Sequence, residues 1–283
     1  MSANVTPVTS TQNELSKPTY NPSAHSFSGW LGGKSQLART IVDMMPAHKH
    51  YCEVFGGAGW VLFKKTPSAT ECINDINGDL INLYRIVKYH FNALLAEFEH
   101  QLISRDEFYR LRSENSQALT DVQRAARFYY LLRTCYGARI NNPTFSSNVV
   151  KPSGLKLRDE LREHLLSVHE RLQKVIIENQ SFEQILNRMD TPDTLFYLDP
   201  PYYECESYYG KGIFSRDDFI KLRDLLKNIQ GKFILSLNNV PEVRELFADF
   251  HIQHKKIRWS VSPTSKNSDK LGHELIITNY KID

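Results

Sequence analysis

Apolar residues in this chain fall into short continuous runs, and stretches with apolar positions three and four apart lie between them. Positions 50–55, 70–77, 175–178, 194–197, 232–238, 252–259 and 274–280 read as strands. Helical spacing predicts helices over 35–45, 60–65, 182–188, 217–227 and 242–247. Ser215, with Asp218 three positions on, has the form of a helix cap in which Asp replaces the usual Glu. Strand and helix alternating in this way predict an α/β chain on a mostly parallel sheet.

The alternation breaks once. From position 78 to about 133 the pattern is helical, with one apolar face on Leu80, Ile81, Leu83, Tyr84, Ile86 and Val87 and another on Ala125, Ala126, Phe128, Tyr129, Tyr130, Leu131 and Leu132. A shorter helix is expected around Phe108 and Leu111, and Leu157, Leu161, Leu165, Val168 and Leu172 mark a helix over 156–172. The expected division is a flexible leader, 1–26, an α/β domain made of 27–77 and 174–283, and a helical insertion, 78–173. The leader is rich in Ser, Thr, Asn and Pro and nearly lacks periodic apolar residues, so it is expected to stand outside the fold.

Composition narrows the class. The 283 residues are 41% hydrophobic and 24% charged, enough for one large core or a core with an elaborated insertion. No stretch approaches the roughly 20 apolar residues of a membrane helix, and the first residues lack the pattern of a signal peptide, so a cytoplasmic protein is expected. Cys52, Cys72, Cys135 and Cys205 have no metal-binding or disulfide-framework spacing, and no metal is expected. A net charge of +3 does not by itself imply a nucleic-acid partner; the distribution of charge has to do so.

Several stretches can carry chemistry. Leu198-Asp199-Pro200-Pro201-Tyr202-Tyr203 ends an apolar strand with prolines that cannot continue a ladder, which fixes an acid and an aromatic at the strand's end, where α/β sheets hold ligands. The same residues also suit a strand followed by a plain turn. Gly56-Gly57-Ala58-Gly59 joins a strand to a helix, and Asp75 follows about 20 residues later, the separation of a ribose-binding carboxylate in nucleotide-binding folds. Together these predict a nucleoside cofactor. Gly32-Gly33-Lys34 is a weaker signal, and its spacing is not that of a phosphate-binding loop. Arg124, Arg127, Arg133 and Arg139, the polar stretch 141–148, and Lys151, Lys156 and Arg158 offer side chains that hold phosphates and read base edges, or else form a solvated face.

The order Trp30-Leu31-Gly32-Gly33-Lys34, Glu53-Val54-Phe55-Gly56-Gly57-Ala58-Gly59, Asn74-Asp75-Ile76-Asn77, an Arg-rich segment and Asp199-Pro200-Pro201-Tyr202 resembles the Dam-like DNA adenine methyltransferases, over about residues 30–280. The resemblance implies a Rossmann-like methyltransferase sheet, mostly parallel with a late antiparallel strand, plus a mainly helical DNA-recognition insertion. It implies S-adenosylmethionine as cofactor, in a pocket of Trp30, Lys34, Glu53, Phe55, Gly57, Gly59, Asp75, Phe182 and Asp199. Asp75 would hold the ribose, Phe182 would lie beside the cofactor's adenine, and Glu53 near its methionine end. It implies catalysis by Asp199, Pro200 and Tyr202, the first two accepting amino hydrogens and Tyr202 stacking on a base flipped out of double-stranded DNA. DNA contacts would come from Arg133, Arg139, Asn141, Asn142 and Lys151, on a monomer.

The chain departs from the family in this last segment. Gly137-Ala138-Arg139 is one residue short, and Asn142-Pro143-Thr144-Phe145-Ser146 lacks a glycine and the final asparagine of the usual pattern, so the usual target sequence does not carry over. Two other readings stay open: methylation of the amino group of cytosine or of an RNA base, and a DNA-binding relative without catalysis.

Overall fold

A computed structural model describes residues 15–23, 25–26, 34–138, 141–146, 161–206, 212–258 and 271–282. One sheet runs through it in the order β3-β2-β1-β4-β5-β7-β6. Its strands are β1 (His50–Glu53), β2 (Thr70–Asn74), β3 (Val175–Glu178), β4 (Thr194–Leu198), β5 (Lys232–Asn238), β6 (His251–Arg258) and β7 (Leu271–Thr278). Strands β1 to β5 pair in parallel, and β7 runs against both β5 and β6, so β7 is the reversed strand. The mostly parallel α/β sheet with a late antiparallel strand is as expected. Its order reverses between β1 and β4, and such a switch point opens a crevice at the strands' carboxyl ends.

Alternation along the strands divides the core into two layers. Tyr51, Ile73, Leu195, Tyr197, Ile234 and Ile276 face one side, while Cys52, Cys72, Phe196, Leu198, Phe233, Leu235, Leu275 and Ile277 face the other. The first side is covered by α1 (Ala38–Met44), α2 (Trp60–Lys64), α3 (Gly78–Tyr89), α4 (Phe91–Phe98), α5 (Arg105–Ser113), α6 (Asp121–Thr134) and α7 (Leu161–Leu172). The second is covered by α8 (Phe182–Met189), α9 (Arg216–Asn228) and α10 (Pro241–Leu246). Apolar residues of the helical block, such as Leu83, Tyr84, Tyr130 and Leu165, belong to the same buried cluster as the sheet's first side.

Local signals set most boundaries. Thr120 with Gln123 and Ser181 with Gln184 form capping boxes that start α6 and α8. At α9 the Asp218 carboxylate accepts from the Ser215 amide at 2.8 Å and its hydroxyl at 2.7 Å, so the shorter acid does serve as a cap partner. Strands β1 and β2 stop earlier than the apolar pattern, at Glu53 and Asn74, because the chain bends at both ends into cavity-lining turns. Helix α1 begins at Ala38, three residues later than expected, after a turn.

The expectation of a leader outside the fold fails for its described part. Ser16 bridges His48 and Tyr20 bridges Lys65. The Asn21 amide donates to Lys64 O at 2.6 Å, Lys64 Nζ donates to Pro22 O at 2.7 Å, and the Ser26 hydroxyl donates to Ala58 O. Polar composition misled here because main-chain bonds, with Tyr20 alone packing against the core from this stretch's larger apolar side chains, make much of the attachment.

Candidate active site

A cavity of about 290 Å³ opens at the switch point, between the ends of β1, β2 and β4. Its floor is the turn after β1. A Cβ on Gly56 would meet Ile73 Cγ1 at 2.7 Å and Asn74 O at 2.9 Å, so only glycine fits there. Gly59 caps α2 at φ 66°, and a Cβ there would lie 3.0 Å from the Tyr84 hydroxyl. Asp75, just past β2, accepts from the Gly57 amide at 2.9 Å and the Asn77 amide at 2.8 Å. Burial raises its carboxyl above the usual range, and these amides oppose that rise.

One end of the cavity is aromatic. Phe55 stacks on Phe182 with ring centroids 5.8 Å apart, and Phe214 meets both at 5.8 Å. Glu53 lies 2% exposed at the other end, its Oε2 accepting from the Leu62 amide at 2.8 Å and the Tyr51 hydroxyl at 3.1 Å. Burial pushes its carboxyl up to about 8, the two hydrogen bonds oppose this, and Asp199 adds to it.

Asp199 and Pro201 line the cavity where β4 ends. The Asp199 Oδ1 atom lies 2.8 Å from Lys34 Nζ and accepts from the Ser236 hydroxyl at 3.2 Å. Lys34, 5% exposed, also donates to the Tyr202 hydroxyl at 2.8 Å and sits 4.4 Å over that ring. Its ammonium lies 3.3 Å from Glu274 Oε1, and the Tyr202 hydroxyl donates to the same oxygen. Burial alone would lower the Lys34 pKa, but Asp199 and Glu274 outweigh it and hold the ammonium well above its usual value. Burial raises both carboxyls, Asp199 and Glu274, against the pull of Lys34.

Lys34, Glu53, Phe55, Gly57, Gly59, Asp75, Phe182 and Asp199 thus meet around one cavity, although they come from five separate stretches of sequence. Pro200 and Tyr202 stand beside the lining, and Trp30 lies outside the described residues. The sequence reading missed Ser236, Phe214, Asp218 and Glu274. Of these, Glu274 left a trace, as an acid at the start of an otherwise apolar strand pattern.

With this geometry, comparison with known proteins decides the chemistry. The family described as D12 class N6 adenine-specific DNA methyltransferase matches residues 30–261. The chain belongs to this family. Its reaction is methyl transfer to the 6-amino group of adenine in DNA, which sets aside cytosine, RNA and a non-catalytic role. The chain is 31% identical to the type II methyltransferase M1.LlaDCHI of Lactococcus lactis subsp. cremoris, over 90% of this chain and 95% of that protein. It is 29% identical to the type II methyltransferase M.MjaIII of Methanocaldococcus jannaschii, over 90% and 98%. It is 28% identical to the DNA adenine methylase of Salmonella typhi, over 87% and 93%. A methyl donor and a DNA substrate follow from membership in the family. Among the described residues no helix is long and apolar enough to cross a membrane.

For a DNA methyltransferase the arginines are of most interest away from the cavity. Arg124 pairs with Asp79 at 3.5 Å and Asp121 at 3.4 Å. Arg127 donates to the carbonyls of Leu111 at 2.6 Å and Arg112 at 3.1 Å, tying α6 to α5. These two join helices, Arg124 tying α6 to α3 and Arg127 tying it to α5. Arg133 lies 5.9 Å over the Tyr129 ring, and Asn141 is exposed. Asn142, at φ 55°, accepts from Arg112 at 2.9 Å, and Arg105 lies 5.4 Å over Phe145, a grouping that the sequence did not signal. Arg139 and Lys151 lie outside the described residues.

Proposed function

We propose that the methyl donor is S-adenosylmethionine, held in the switch-point cavity, and that Asp199, Pro200 and Tyr202 act on an adenine flipped out of duplex DNA. The observation that carries this reading is the cavity's order of chemistry: an aromatic end at Phe55, Phe182 and Phe214, a carboxylate at Asp75, and an acidic end at Glu53 and Asp199. A nucleoside with a cationic tail fits that donor set. The turn at Gly56 packs so tightly that a Cβ would collide with Ile73 and the Asn74 carbonyl, and this packing sets the shape of the cavity floor.

Asp75 would hold the ribose hydroxyls, Phe182 would pack on the donor's adenine, and Glu53 would face its methionine end. Once bound, the donor supplies an electrophilic methyl group on sulfonium sulfur. An exocyclic amine is a poor nucleophile while its lone pair is delocalised into the ring. Asp199 counters this with Oδ2, which accepts no hydrogen bond from the described residues while Lys34 and Ser236 occupy Oδ1. Together with the Pro200 carbonyl it accepts the amino hydrogens and favours a pyramidal nitrogen. Such positioning and electrostatic effects contribute several kcal/mol each to catalysis.

Tyr202 would stack on the extruded base, an interaction worth about 1–3 kcal/mol against the cost of unstacking. Contacts with the duplex are assigned to the helical block, through Arg133, Arg139, Asn141, Asn142 and Lys151, with Arg112 added through its bond to Asn142. The test is calorimetric titration of the protein with S-adenosylmethionine, followed by mapping of methylated bases on unmethylated DNA by single-molecule sequencing. Binding that is lost in Asp75→Ala, together with N6-methyladenine in the product, is expected. Absence of binding in the unmodified protein would overturn the cofactor assignment.

A further inference from the structure

Behind the cavity, four side chains from three distant parts of the chain form one line of hydrogen bonds. Asp199 Oδ1 lies 2.8 Å from Lys34 Nζ, Lys34 Nζ lies 2.8 Å from the Tyr202 hydroxyl, and that hydroxyl donates to Glu274 Oε1. Asp199 faces the cavity, whereas Glu274 is fully buried away from it. The far end of the line is incomplete: Glu274 Oε2 is buried and has no hydrogen-bond partner among the described residues.

An orphaned oxygen on a buried carboxylate costs free energy, because the lost hydration is not replaced. Few charges surround it. Among the described residues Lys34, at 3.3 Å from Oε1, is the cation within ion-pair distance, and Asp199 shares it. On the neighbouring strands the register partners of Glu274 are Asn238 in β5 and Lys255 in β6, and its own strand continues with apolar Leu275, Ile276 and Ile277. Two carboxylates therefore share one ammonium. With both ionised, the group carries one negative charge more than positive and can take up one proton.

Methyl transfer to an amine releases such a proton. The N–CH3 bond forms as the donor's S–CH3 bond breaks with its electron pair left on sulfur. The nitrogen, now positively charged, then loses one N–H proton and keeps that bond's electron pair. On the reading that Asp199 receives the amino group, we propose that Glu274 is the terminal acceptor of this proton, relayed through Asp199, Lys34 and Tyr202. The amine proton goes to Asp199 Oδ2, and a turn of that carboxyl about its Cβ–Cγ bond carries it round to Lys34. Lys34 takes a proton from Asp199 as it gives one to the Tyr202 oxygen, and Tyr202 passes its hydroxyl proton to Glu274. Asp199 ends as a carboxylate, Lys34 as an ammonium, Tyr202 as a phenol and Glu274 as a neutral acid, so the charges balance. Burial, opposed by Lys34 and Tyr202, already holds the Glu274 carboxyl above its usual range, which favours the final step.

Glu274 touches neither base nor donor; it works through Tyr202 and Lys34. Glu274→Gln keeps the length and an oxygen for the Tyr202 hydroxyl but cannot take the proton. Single-turnover methyl transfer should slow about 100-fold or more, as loss of a general base does, while cofactor affinity by calorimetry and KM for DNA stay unchanged. The rate in mixed light and heavy water should show several protons in flight for the unmodified enzyme and lose that curvature in the variant. Infrared titration of the enzyme alone should show a carboxylate, ionised at the assay pH, that takes up a proton at a pH above the usual carboxylate range and that the variant lacks. Should Glu274→Gln not fold, Tyr202→Phe cuts the same line and should lose the same curvature. An unchanged rate in Glu274→Gln, or an unchanged infrared titration, overturns the relay. If the unmodified protein transfers no methyl group to adenine, the functional reading fails, and the infrared titration still decides whether Glu274 can hold a proton.

Discussion

Lys34 and Asp199, 165 positions apart in the chain, lie 2.8 Å apart in the fold, and Lys34 is almost fully buried there. Removing the lysine leaves a desolvated carboxylate without its cation. Lys34→Met should raise the Asp199 pKa further, move the acid limb of the pH–rate profile to higher pH, and cost about 3 kcal/mol of stability, the lower end for breaking a buried pair because Asp199 keeps some exposure. Chemical denaturation and a pH–rate profile check both parts. An unchanged acid limb would mean that Lys34 does not set the Asp199 charge.

Glu53 predicts the opposite sign from a stabilising ion pair. Its folded pKa is raised to about 8 from an ordinary value of 4.5. Below pH 4.5 the group is protonated in both states and contributes nothing; as pH rises to 8 the unfolded chain ionises first, so the folded state loses stability, and the loss is complete above that. Glu53→Gln keeps an oxygen for Leu62 and Tyr51. It should be nearly neutral at low pH and stabilise the empty protein by roughly 3–5 kcal/mol at pH 8, as read by urea denaturation at the two pH values. An equal effect at both would show that Glu53 is not held protonated.

Gly56 and Gly78 separate a packing requirement from a tolerance. A side chain on Gly56 collides with Ile73 and the Asn74 carbonyl, whereas at Gly78 the nearest atom is Asn179 Oδ1 at 3.6 Å. Gly56→Ala should cost about 1–3 kcal/mol and weaken cofactor binding, while Gly78→Ala, at the start of α3, should be neutral or stabilise by up to about 1 kcal/mol. Thermal melting and calorimetry on the two variants compare them directly.

Two arginines one helix apart should behave differently. Arg127 bonds to two carbonyls of α5, and Arg112 bonds to Asn142 on the exposed loop. Arg127→Met should lower stability by about 1–3 kcal/mol and leave the salt dependence of DNA binding alone. Arg112→Ala should leave stability nearly unchanged, weaken DNA binding and reduce the salt slope by about one. Fluorescence anisotropy at several salt concentrations reads the difference.

How much was legible in the sequence differs by region. Strand β5 occupies 232–238 as expected, because a mostly apolar run, Phe233 to Leu237 with Ser236 inside it, lies between Gly231 and polar Asn238. The glycine turn and Asp75 were legible because a tight turn and a strand-end acid each need particular residue types close together. Glu274 was not: an acid at a strand's start reads as facing solvent until Lys34 and Tyr202, far away in sequence, are brought beside it. The partners of Arg124 and Arg127 were hidden for a related reason, since helical spacing shows which face an arginine occupies but not that a neighbouring helix presents Asp79, or the carbonyls of Leu111 and Arg112, to it. The attachment of residues 15–23 rests largely on main-chain bonds, which leave little mark on side-chain composition.

The most direct measurement is transfer of a labelled methyl group to unmethylated DNA by the unmodified protein and by Asp199→Ala, with melting curves of both. The account predicts N6-methyladenine from the first, at least about 1,000-fold less from the second, and a fold retained by the variant. Transfer at an undiminished rate by Asp199→Ala would contradict it.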